Sequence, residues 1–163
     1  GAPDEKTGTS YLLPVDGKST MPSSGMSLAS LYQTLGSLPV RHAVVLMDAC
    51  FSGAKRGDGM LASARGVAIK AKPQSLSGKL VVFSAAQGDE TAYPLKDKEH
   101  GLFTYFLLKK LKDTKGNCSL LDLSNYVVDQ VKRKSIVSNG KSQTPAISSS
   151  TPMQNNWKTI KLR

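Results

Sequence analysis

Apolar and polar positions follow two periods along this chain. Tyr11-Leu12-Leu13-Pro14 is a short apolar run stopped by proline, which predicts a brief strand leading into a loop. Residues 17–25, rich in Ser, Gly and Pro, carry no period. From Ser27, a capping residue by type, Leu28, Leu31, Tyr32 and Leu35 fall at i, i+3, i+4 and i+7, so a helix is expected to end near Gly36, before Pro39. Ala43-Val44-Val45-Leu46-Met47 is continuously apolar, the pattern of a strand buried on both faces of a parallel sheet. Leu80-Val81-Val82-Phe83-Ser84 repeats it. Residues 54–78 between the two are dominated by Gly, Ser, Ala and Lys/Arg and read as a long mobile loop, with a short helical piece at Met60–Arg65.

Leu102–Leu111 is almost wholly apolar, which predicts a deeply buried helix with lysines at its C-terminal end. Ser119 and Asp122 have capping-box spacing, and Leu120, Leu123, Val127 and Val131 share one face of the helix they open. Strands alternate with helices, so the expected class is α/β, a sandwich on a largely parallel sheet. A length of 163 residues suggests a single core, and residues 1–163 are expected to belong to one domain as its C-terminal part.

Composition removes several classes. No run approaches the roughly 18 apolar residues of a membrane span, and mean hydropathy is −0.24. Two cysteines cannot make a disulfide scaffold. The net charge of +10 raises nucleic acid as a partner. Residues 96–163 carry +8 of it (13 basic against 5 acidic), spread over helix faces and the tail without interleaved aromatics. That distribution reads as a solvated surface, and neither nucleic acid nor a membrane is expected as a partner.

The chemistry gathers where the first buried strand ends, in Asp48-Ala49-Cys50-Phe51-Ser52-Gly53. Functional groups of open α/β sheets collect at the carboxyl ends of strands. A lone cysteine is usually a small core hydrophobe. A carboxylate two residues before it, with Ser and Gly after it, favours a nucleophile instead.

That hexapeptide resembles the nucleophile motif of bacterial caspase-like cysteine peptidases, relatives of caspases, metacaspases and paracaspases. The likeness extends to Tyr11-Leu12-Leu13-Pro14-Val15-Asp16, to Phe83-Ser84-Ala85-Ala86, to His100-Gly101 with the helix after it, and to Gln143-Thr144-Pro145 with Trp157. The resemblance implies a three-layer sandwich around a mostly parallel sheet, lacking its first strands here, and an endopeptidase that uses a Cys-His dyad. Cys50 would be the nucleophile and an oxyanion donor, with Gly1 the second N–H donor.

Enzymes of this type place the histidine roughly 50 residues before the cysteine, in a His-Gly pair. That position falls just ahead of Gly1, so the base is expected in a preceding segment of the same domain and this chain alone is expected to be inactive. His42 begins the strand that leads to Cys50, about 26 Å away if the eight residues are extended. His100-Gly101 mimics the catalytic pair but follows the cysteine and opens a helix.

Caspases have Gln where Asp48 stands, and that Gln helps to hold a substrate aspartate. A carboxylate there would attract Lys or Arg, as in metacaspases and paracaspases; the competing reading is that Asp48 caps the turn. Asp89 and Glu90 are candidate second acids, and Ser84 and Ala85 are candidate strand-pairing groups for an extended protein or peptide substrate. Only Asp16 and Asp58 could serve calcium, too few hard ligands, so neither metal nor cofactor is expected. Lys55, Arg56, Arg65, Lys70 and Lys72 would make the 54–78 loop a target of self-cleavage. Cys118 reads as an incidental thiol. The rivals are a caspase-fold scaffold without activity and a basic nucleic-acid-binding domain. The chain opens Gly-Ala-Pro without a targeting segment, and a cytoplasmic location is expected.

Overall fold

In the computed structural model, residues 1–4, 6–18, 20–49, 51, 74–88 and 90–163 are described, Lys96 without its side chain. Three strands, β1 (Ala2–Pro3), β2 (Ser10–Leu12) and β3 (Met26–Ser27), form a small antiparallel sheet in the order β1-β2-β3. The brief strand expected around Tyr11 is therefore present as β2. Helix α1 (Leu28–Gly36) follows directly. Ser27 stays extended and its Oγ accepts the Ser30 N–H at 3.1 Å, satisfying a donor that the first helical turn would otherwise leave unpaired.

The central sheet has the order β4-β5-β8. β4 (Ala43–Met47) runs parallel to β5 (Leu80–Ser84), and β8 (Ala146–Ser149) runs antiparallel to β5 on its other side. Among the described strands the sheet is thus mixed rather than mostly parallel, because β8 returns from the last helix beside β5 in the reverse sense. β5 is buried along Leu80–Phe83, as its sequence predicts. β4 is not: its one described neighbour is β5, and Leu46 is 38% exposed.

Alternation along β5 divides the core in two. Val81 and Phe83 face α2 (Leu102–Asp113) and α3 (Leu120–Asn139), where they join Phe103, Leu107, Leu123, Val127 and Val131. Leu80 and Val82 face α1, packing with Leu28, Tyr32 and Met47. Among the described residues one α-helix therefore covers one side of the sheet and two cover the other, giving three layers. Phe83 meets Phe103 edge to face at 4.8 Å between ring centroids, a geometry that rings favour over stacking face to face.

α3 opens with the expected capping box. Asp122 N–H donates to Ser119 Oγ at 3.1 Å, while Ser119 donates its N–H and its hydroxyl to Asp122 Oδ2 at 3.3 and 2.7 Å. The start of β5 is fastened by Ser150, which is buried: its hydroxyl donates to the Gly78 carbonyl at 2.7 Å and accepts the Leu80 N–H at 3.2 Å. A two-strand ribbon, β6 (Pro94–Leu95) with β7 (His100–Gly101), leads into α2. The helical piece expected at Met60–Arg65 and the self-cleavage sites expected between Lys55 and Lys72 lie outside the described residues; of the 54–78 loop, residues 74–78 are described and form neither helix nor strand.

Candidate active site

β4 delivers Asp48 and Ala49 past the end of the sheet. The next residue, Cys50, lies outside the described residues, as does Asp89. Ala49 and Phe51, its neighbours in the sequence, both border a cavity of about 470 Å³. Its walls are Leu28 and Tyr32 from α1, Met47, Val82, Ser84, the turn Ala86-Gln87-Gly88 with Glu90, and Ala146–Ser148 of β8. The lining is largely apolar. Tyr32 is buried there with its hydroxyl 3.9 Å from the Met47 sulfur, and burial pushes its phenol above the usual value, so it stays neutral. Gly1 lies against the same corner: a β-carbon on it would come within 2.3 Å of the Phe51 ring and 2.9 Å of the Tyr11 carbonyl oxygen.

Asp48 is half-buried and tied to α2. Its Oδ2 accepts the Thr104 hydroxyl at 2.6 Å and the Thr104 backbone N–H at 3.3 Å. Thr104 is the third residue of α2, and that N–H is one a capping side chain normally takes. The residue at the cap position is Gly101, which has no side chain to offer. Asp48 fills that role from another element, and its negative charge suits the positive end of the helix dipole. The packing requires glycine at 101, since a β-carbon there would fall 1.9 Å from Asp48 Oδ2.

The strand-pairing expectation for Ser84 and Ala85 is corrected. Both edges of β5 are occupied, by β4 and β8, and Ser84 is paired with Ala146. The Ser84 hydroxyl donates to the Ala146 carbonyl at 3.2 Å. Ala85 is fully buried, its N–H donating to the Met47 carbonyl at 2.9 Å and its carbonyl accepting Gln143 Nε2 at 2.9 Å. A substrate strand has no edge to join there, although Ser84 remains part of the cavity wall.

Glu90 is likewise not an idle acid. Its Oε2 accepts the Thr144 N–H and its Oε1 accepts the Thr144 hydroxyl at 3.0 Å. Gln143, wholly buried, also accepts the Tyr93 N–H on Oε1 at 2.8 Å and donates its own N–H to Ser135 Oγ at 3.0 Å. The segment 143–144 thus grips both ends of the turn that forms one cavity wall.

His42 directly precedes β4, at the end of the strand remote from Ala49. His100 is exposed in β7, directly before Gly101 at the cap position of α2. Asp16 is exposed and Asp58 lies outside the described residues. Cys118 is buried between α2 and α3. No helix among the described residues is long and apolar enough to cross a membrane.

Gly101, Thr104, Gln143 and Thr144 as supports of the site were not foreseen. One signal was present: a helix preceded by Gly rather than Ser, Thr or Asp needs its cap from elsewhere.

A three-layer α/β domain with a cleft at the carboxyl end of β4, bordered by Ala49 and Phe51, has the architecture of a cysteine peptidase. Comparison with protein families agrees: the caspase domain of peptidase family C14 matches residues 2–156, and the chain belongs to that family of cysteine peptidases. A comparison with curated proteins gave no match.

Proposed function

We propose that the complete protein is a cysteine endopeptidase that cleaves after Arg or Lys, with Cys50 as the nucleophile. The observation that carries this reading is that Ala49 and Phe51, on either side of Cys50 in sequence, both border the cleft that Ser84, Ala86, Gln87, Gly88 and Glu90 also line. A thiolate there would attack the scissile carbonyl, the Cys50 and Gly1 N–H groups would receive the oxyanion, and a protonated imidazole would then release the amine. Gly1 packing against Phe51 supports its place in that set. Neither His42 nor His100 is suited to act as the base. The reading assigns the base to neither of them, and on that reading the chain by itself would hydrolyse nothing.

Asp48 would read the substrate cation. The likeness to the caspase-type motif carries this role, for the Asp48 carboxylate is held by Thr104 and does not line the cleft described above. The same bonds favour a second role for it, as the cap of α2, and the two roles are separable by experiment. With the complete domain, peptides ending in Arg or Lys should release a fluorophore before those ending in Asp, and Cys50→Ala should abolish the release. Preference for Asp would overturn the specificity. Hydrolysis that survives Cys50→Ala would overturn the mechanism, and a full-length protein that hydrolyses none of these peptides would favour the scaffold reading instead.

A further inference from the structure

The turn that follows β5 would be free to move if only its chain connections held it, yet each end of it is pinned to one distant segment. At its start, the buried Ala85 carbonyl accepts Gln143 Nε2; at its close, the Tyr93 N–H donates to Gln143 Oε1. Between them, Glu90 receives both the N–H and the hydroxyl of Thr144. Gln143 is itself wholly buried and anchored on Ser135 of α3. Ala86, Gln87, Gly88 and Glu90 border the cleft, and the groups that clasp this wall lie some fifty residues further on.

We propose that Glu90 and Gln143 are positioning residues of the peptidase: they hold the 86–90 wall in place for the substrate without touching the reacting atoms. The inference rests on the reading of this cleft as the substrate site. Loss of the clasp would weaken binding in the ground state and the transition state alike, so KM should rise while kcat stays close to that of the parent. Charge is not what the clasp needs. A glutamine at 90 can still accept the Thr144 N–H on its carbonyl and donate its amide to the Thr144 hydroxyl, which can act as acceptor.

Gln143→Ala would leave a buried carbonyl and a neighbouring N–H unpaired and could prevent folding, so the test uses the half-buried Glu90 in the full-length protein. Glu90→Ala should raise KM for a peptide ending in Arg about tenfold with kcat within about twofold, and Glu90→Gln should restore KM. Hydrogen exchange over residues 86–92 should quicken about tenfold or more in Glu90→Ala but not in Glu90→Gln. The rate at which iodoacetamide alkylates Cys50 should not change. A parent-like KM in Glu90→Ala, unchanged exchange, or failure of Glu90→Gln to rescue would overturn this inference alone. Absence of Cys50-dependent hydrolysis in the parent protein would instead overturn the peptidase reading, and this inference with it.

Discussion

Asp48 and Thr104 stand 56 residues apart in sequence, yet one oxygen of the carboxylate accepts both the hydroxyl and the backbone N–H of the threonine. The residue expected to choose the substrate is thereby also the residue that starts α2. Hydrogen bonds to a charged group contribute about 1.5–3 kcal/mol.

Replacing Asp48 by Asn keeps an acceptor for Thr104 but removes the charge. Cleavage of Arg and Lys peptides is expected to fall about 10- to 100-fold in kcat/KM, with little gain for neutral side chains. Thr104→Val should instead cost about 1–2 kcal/mol in chemical denaturation, and Thr104→Ser should recover most of it. If Asp48→Asn lowers stability but leaves the substrate preference intact, capping is its only role.

Gly101→Ala would put a methyl group into the space of the Asp48 carboxylate, 1.9 Å from Oδ2. The neighbouring cap must break or the β7–α2 junction must shift. A loss of about 2 kcal/mol or more is expected in the unfolding free energy. A parent-like midpoint would show that the junction yields without cost.

Gln143→Leu conserves volume but leaves the Ala85 carbonyl and the Tyr93 N–H without the partner each now has. Two unpaired groups at about 1–3 kcal/mol each imply a loss near 3 kcal/mol, measurable by urea denaturation. Stability within 0.5 kcal/mol of the parent, roughly the scatter of surface substitutions, would contradict the role given to this side chain.

Acid should weaken the start of α3. The hydroxyl and N–H of Ser119 hold the Asp122 carboxyl below its ordinary value of 3.8. With the folded value depressed, its contribution is fully present above the unfolded value and disappears as pH falls through the folded one. Thermal midpoints of the parent and of Asp122→Asn should therefore differ at pH 5 and converge as the pH drops below 3.8 toward 2. A gap that persists at pH 2 would point to packing rather than charge.

The parts of the fold legible in the sequence are those whose cause is local. α1, β5 and the capping box of α3 follow from spacing within ten or so residues, and they stand where that spacing predicts. β8 did not show itself, because Ala146-Ile147-Ser148-Ser149 is small and polar and becomes a strand only by pairing with β5. β1, β3, β6 and β7, of two residues each, are too short to carry a period. At the site, the Asp-Ala-Cys motif is contiguous and could be read directly. The roles of Thr104, Gln143 and Glu90 arise from contacts across fifty residues or more, and the misreading of Ser84 and Ala85 arose because nothing local to β5 reveals that both its edges are taken.

The clasp on the 86–90 turn also bears on how the domain comes to be made. Gln143 and Thr144 meet residues 50 to 58 positions earlier, and β8 closes onto β5 only after α3 has been synthesised. Such non-local closures are slow, since the entropy of a long loop must be overcome before any contact rewards it. A nascent chain that ends before Gln143 has β4 and β5 but lacks the bonds that Gln143 and Thr144 make to the cleft wall. The order of synthesis thus fastens this wall only once most of the described domain has been made.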